Sequence, residues 1–157
     1  MSIPHEFDTI NTSKYLFLRG LSEPWDNALP IISQEAVVNT FAEPRINASL
    51  LPEIAALLKN ANSIECNDLC RAFELHWESY VAYLVTNESF SRFEDARFAG
   101  SKLRTYRKSR FLEHLARDTD GHQTTLLHYK LLCENHIIDV AAYDPPAIRL
   151  IRLQREQ

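Results

Sequence analysis

Glycine is scarce in this chain: three residues in 157, at Gly20, Gly100 and Gly121. So few glycines leave no glycine-rich phosphate loop, and neither a G-x-S-x-G elbow nor an H-E-x-x-H pair occurs. No run of acidic residues has the spacing of a metal-binding loop. Cysteine is sparse as well, at three, an odd count too low for a disulfide scaffold, so reduced thiols in a reducing compartment are expected. No apolar run approaches the ~18 residues needed to cross a bilayer, and "MSIPHEFDTINTSK" has neither a basic nor an apolar leader segment. The expectation is a cytoplasmic protein with no membrane partner, in which the Asn-x-Ser triplets at Asn11, Asn47 and Asn87 stay unmodified.

What is present is a folding composition. Hydrophobic residues make up 45% and charged residues 24%, which places the chain among globular proteins rather than disordered ones. Its length suits one domain, 1–157, with no repeat, linker or low-complexity tract. The net charge is -4, unevenly laid out. Residues 1–90 hold twelve acids and five bases, residues 91–117 hold three and eight, and residues 118–157 hold six and four. Five of the seventeen Lys and Arg residues fall in "SKLRTYRKSR", Ser101 to Arg110. One explanation is an internal counter-charge to the acidic half; the other is a surface for a partner.

Turn and cap signals divide the chain. "KYLFLRG", Lys14 to Gly20, is a short apolar run stopped by glycine and reads as a strand. Ser33 caps a predicted helix through about Ala42 with Val37, Val38 and Phe41 on one side. Ser49 opens a second, with Pro52 in its first turn and Leu51, Ile54, Leu57 and Leu58 as its stripe. Asn67 or Asp68 caps a third, carrying Leu69, Phe73, His76 and Tyr80. From Tyr80 to Thr86 the period fades, and either a strand takes over or the helix continues to Val85. "SRFEDARF" reads as a helical turn, and "RFLEHLAR", Arg110 to Arg117, as a short helix. Leu126–Cys133 and His136–Ala142 read as a hairpin turning at Glu134-Asn135, with a helical stripe as the rival. Asp144 and Pro145 start a closing helix over Ala147–Leu153. The fold class expected is therefore α+β: one domain with helices packed on a small, mainly antiparallel sheet, helix-rich in the first half and with its strand candidates in the second.

As a strand, "SKLRTYRKSR" presents Lys102, Arg104, Tyr106, Lys108 and Arg110 on one face, a basic ridge with an aromatic in its middle. Trp25, in "SEPWDN", sits on a loop, where the indole either covers the core edge or meets a partner; Trp77 is read as core. Cys66, Cys70, Cys133 and His136 are chemically a permitted zinc set, yet neither pair carries a knuckle's turn signal; Cys70 lies beside the expected core residues Leu69 and Phe73, and Cys133 fits an apolar stripe, so no metal is expected. His114, His122, His128 and His136 lie near the basic block, where one could act as acid/base on a phosphate, but no spacing ties them together. No catalytic residue and no cofactor is assigned. The expected function is a small non-enzymatic protein-interaction module, of inhibitor, immunity or adaptor type, that binds another protein by charge complementarity. Its site would be the ridge residues together with Trp25. The alternative is a nucleic-acid-binding or RNA-processing protein that contacts phosphates with the same ridge.

Overall fold

The computed structural model describes residues 5–39, 51–58, 62–92, 94–120 and 125–153. Along the chain these form α1 (His5–Asn11), β1 (Tyr15–Leu21), β2 (Leu29–Val38), α2 (Pro52–Leu58), β3 (Ile64–Glu65), β4 (Ala72–Trp77) and β5 (Ala82–Asn87). A 3₁₀ turn (Glu88–Phe90) follows, then β6 (Phe98–Ala99), β7 (Leu103–Tyr106), α3 (Arg110–Asp118), β8 (Leu127–Leu132), β9 (His136–Ala142) and β10 (Ala147–Ile151). The ten strands make two antiparallel sheets. The first runs β1-β2-β4-β10, with β3 paired to the C-terminal end of β2; the second runs β5-β9-β8-β7-β6.

Strict alternation builds the core between them. In β4, Phe73, Leu75 and Trp77 point inward, while Glu74 and His76 point out. Leu16, Ile31 and Leu75 from the first sheet meet Leu103, Leu131, Ile138 and Val140 from the second in one apolar cluster, so the molecule is a β-sandwich. Phe7 and Ile10 of α1 join that cluster. The helix α3 instead covers the outer face of the second sheet, where Leu115, Leu126 and Ala141 form a smaller cluster with Phe111 and Leu112.

The α+β expectation is overturned: strands dominate both halves, and only three short α-helices occur among the described residues. The segment from Ser33, expected as a helix, lies largely in β2, which pairs with β1 and β4 and ends on β-branched Val37-Val38. The cap chemistry at Asn67 exists but closes one isolated turn: its side chain accepts from Leu69 N at 2.9 Å and its carbonyl from Cys70 N at 3.1 Å. The chain beyond it extends as β4, and the apolar stretch from Tyr80 becomes β5. Ala147–Leu153, expected as a helix, contains β10, held opposite β4 with Arg149 facing Glu74 in register and hydrogen-bonded to it. The described residues of "SRFEDARF" form no α-helix, and its Phe98 opens β6. The expected strand over Lys14–Gly20, the helix from Arg110 and the 126–142 hairpin are present, and α2 begins at Pro52; Ser49 and residues 40–42 lie outside the described residues.

Two asparagines tie the sandwich together. The Asn135 side chain, in the β8–β9 turn, accepts from Leu18 N at 2.9 Å and donates to Leu18 O at 3.1 Å, which fastens that turn to β1 of the other sheet. Asn11 Oδ1, at the end of α1, accepts from the backbone N–H of Ser101, Lys102 and Leu103 at 2.8, 2.8 and 3.0 Å. The turn so held needs Gly100: its φ is 90°, and a Cβ there would stand 2.2 Å from Leu103 O.

Candidate functional site

Beneath α3 the outer face of the second sheet carries a buried polar chain. Ser109 caps α3, its Oγ accepting from Leu112 N at 3.1 Å, and the same oxygen lies 2.8 Å from His128 Nδ1. His128 Nε2 is 2.6 Å from Asp139 Oδ1. Lys130 Nζ bridges Asp139 at 3.6 Å and Glu94 at 3.7 Å. Tyr106 stacks on the imidazole at 4.8 Å between centroids, and Phe111 meets its edge. The strands explain the gathering: His128 and Lys130 are alternate residues of β8, and Asp139 of β9 is in register with Lys130.

Serine, histidine and aspartate in this order are the parts of an acyl-transfer relay. Here they are sealed instead. Ser109, His128 and Asp139 are all buried, so a substrate carbonyl has no approach to Oγ. That oxygen already accepts a cap bond, and the next amide, Arg110 N–H, which such a site would offer to an oxyanion, is donated to Glu94 Oε1 at 2.6 Å. The chain holds α3 onto the sheet with its polar groups satisfied, which is the condition for burying them at all.

The expected basic ridge does not stand free. Only Leu103–Tyr106 is strand, and the Ser109 cap turns the backbone into α3. Tyr106, expected as the exposed anchor, is 1% exposed and packs against His128 and Phe98. Lys102 pairs with Glu134 at 3.7 Å. The Arg104 guanidinium lies over the Phe98 ring, 4.1 Å from its centroid, and its Nε donates to Ser101 O. Arg110 Nε is 3.9 Å from Glu94, and Lys108 is exposed. The structure therefore brings Arg104 and Tyr106 together but commits both, with Lys102 and Arg110, to partners within the molecule.

Trp25 is placed differently. Its ring is fully exposed, on the β1–β2 loop rather than over the core edge. The loop is set by Asp26 Oδ1, which accepts from Ala28 N at 3.3 Å, and by Asn27 in the left-handed region at φ 60°. Glu23 of the same loop accepts a 2.6 Å hydrogen bond from the Tyr80 hydroxyl, whose pKa that bond, with burial, pushes up to about 12. Two residues further on, β5 begins. It is an edge of its sheet: β9 pairs with one side, and among the described residues no strand pairs with the other. The strand "AYLVTN" contains no charge, proline or bulge, the usual protections of an edge. Leu84 is 50% exposed, and Val81, Val85 and Phe90 are exposed around it.

The four residues that are chemically a permitted zinc set, and for which no metal is expected, are spread through the fold. Cys133 is buried in the core, where burial pushes its thiol up to about 12, and Cys66 and Cys70 lie half-exposed on the loop before β4. Cys70, expected as core beside Leu69, borders an exposed leucine instead. No group of three His, Cys, Asp or Glu residues among those described is arranged for a metal ion. His114 is exposed beside Asp118, and His122 lies outside the described residues. No helix among the described residues is long and apolar enough to cross a membrane.

No family model, curated protein or solved structure matches the chain. Sequence reasoning missed Ser109 and Asp139 as members of one network. Their signals were a serine directly before a helical stretch and a lone carboxylate inside the apolar run "HIIDVAA", which a strand can hold only beside a cation or a donor.

Proposed function

We propose that the protein is a non-enzymatic protein-interaction module that takes a segment of a partner protein against Trp25 and the open edge of β5. A single observation carries the reading: a fully exposed tryptophan on a loop tied to Tyr80, next to an uncharged edge strand that exposes Leu84 and Val85. An extended partner segment added to β5 gains main-chain hydrogen bonds from the edge and side-chain contacts from alternate positions. Burying one tryptophan removes roughly 150–250 Å² from water. At about 25 cal/mol per Å² that is roughly 4–6 kcal/mol gross, enough to anchor a contact before the cost of association is met. A reducing, cytosolic setting belongs to this proposal, supported by three unpaired cysteines.

The test is capture from native lysate by wild type, Trp25→Ser and Leu84→Lys, each with and without nuclease. Both variants change exposed side chains and should melt as the wild type does. A protein captured by wild type in both nuclease conditions and lost with both variants supports the reading; capture that vanishes only on nuclease treatment, or survives both variants, contradicts it.

A further inference from the structure

On the outer face of the first sheet lies a second surface, an open cleft of about 1290 Å³ walled by the 66–71 loop. Its floor is Ile32, Gln34 and Ile151, and Leu69 and Leu150 stand exposed at its borders, Leu69 by 93%. Three arginines line it: Arg19, Arg71 and Arg152. Arg71 is committed to Glu35 at 2.6 Å, whereas Arg19 and Arg152 are exposed and have no partner among the described residues. With Arg71 balanced by Glu35 and one carboxylate, Asp68, on the lining, Arg19 and Arg152 leave the described part of the cleft net positive beside exposed leucines, in a chain of net charge -4. Arg19 is the extra residue of a bulge in β1, between Leu18 and Gly20, and bulges re-aim a side chain out of the regular pleat. Gly20, opposite Ile32, would meet nothing within 4 Å if it carried a Cβ, so the floor beside Ile32 is open.

We infer that this cleft binds an extended acidic peptide segment with carboxylates at positions i and i+4 and an apolar residue between them at i+2. The spacing follows from the sheet. Arg19 belongs to β1 and Arg152 follows β10, three strand steps across the sheet and, by the register, about two residues further along it, roughly 16 Å between backbones, which two long arginine side chains can close to about 14 Å between guanidiniums. In an extended chain, residues i and i+4 are also about 14 Å apart and share a face, and the i+2 side chain on that face drops toward Ile32 and Ile151. Guanidinium matches a carboxylate with two parallel hydrogen bonds. A small molecule would leave most of so wide and open a cleft unfilled. A nucleic acid would find no aromatic ring among the described lining residues on which to stack a base.

Fluorescence anisotropy with a labelled peptide Gly-Glu-Ser-Leu-Ser-Glu-Gly tests this. Wild type should bind it, the Arg19→Ser/Arg152→Ser variant at least about tenfold more weakly, and Gly20→Trp, which fills the floor, likewise. Raising salt from about 50 to about 300 mM should weaken wild-type binding several-fold, and the peptide with lysine in place of glutamate should not bind. Thermal melting of both variants should match wild type, because the residues changed are exposed or face open space. No binding at millimolar peptide, equal binding by the variants, or tighter binding of a short oligothymidylate that the arginine variant abolishes would each overturn the inference. The Trp25 and Leu84 variants should bind the peptide as wild type does, which separates this site from the β5 surface.

Discussion

At the scale of single residues, the buried polar groups of Ser109, His128 and Asp139 are paired with one another inside the fold. Ser109 is both the cap of α3 and the hydrogen-bond partner of His128, so Ser109→Ala should lower stability by about 1–2 kcal/mol in urea unfolding. The wild-type protein should also resist a fluorophosphonate, since the hydroxyl is buried; labelling at Ser109 would show that the network opens to substrate. Glu35 gives a pH signature. Burial pulls its carboxyl up, but hydrogen bonds from Arg71 and Ser13 and the charge of Arg71 outweigh that, so the pKa lies below the ordinary carboxylate value. A folded-state pKa below the unfolded one stabilises above the unfolded value, near 4.3, and that contribution is lost as pH falls through the folded value. Glu35→Gln should therefore be less stable than wild type at pH 7, with the gap closing below about pH 4. A gap that stays constant with pH would mean that the Arg71 pair contributes nothing.

At the scale of elements, the sandwich depends on cross-sheet ties as well as on strand pairing. Asn135→Ala removes two hydrogen bonds to Leu18 and leaves its amide and carbonyl short of partners, which should cost about 1–3 kcal/mol by urea unfolding. Faster amide exchange in β1, with β4 unaffected, should accompany the loss. How far such elements could be read from the sequence depended on which period their residues carried. The hairpin at Glu134-Asn135 was legible because Ile137, Ile138 and Val140 are β-branched and the turn residues are polar. Leu69, Phe73, His76 and Tyr80 carry helical spacing by accident, while Phe73, Leu75 and Trp77 carry the spacing of two that the sheet uses. With both periods in one segment, pairing to β2 and β10 decides, and pairing is nonlocal. Ser33 and Asp144 offered cap chemistry in the same way, and strand partners beyond the local window overrode it.

At the scale of the whole molecule, the charge layout was legible but its purpose was not. Among the described residues, the basic stretch from Ser101 to Arg110 meets carboxylates from its own half of the chain: Lys102 pairs with Glu134 and Arg110 with Glu94. A one-dimensional count cannot find those partners, because a strand turn and a loop deliver them. Trp25 was legible as a loop residue, and its exposure follows from an Asx turn that lifts it off the core. The surface proposed for a partner is thus apolar and lies at a strand edge, apart from the exposed guanidiniums of Arg19 and Arg152. Photo-crosslinking from a benzophenone amino acid at position 84, with position 113 on the exposed side of α3 as control, tests the central claim most directly. Adducts to a protein at 84 and none at 113, lost when Trp25 is changed to Ser, are expected; equal adducts at both positions, or none at 84, would contradict a binding surface at β5.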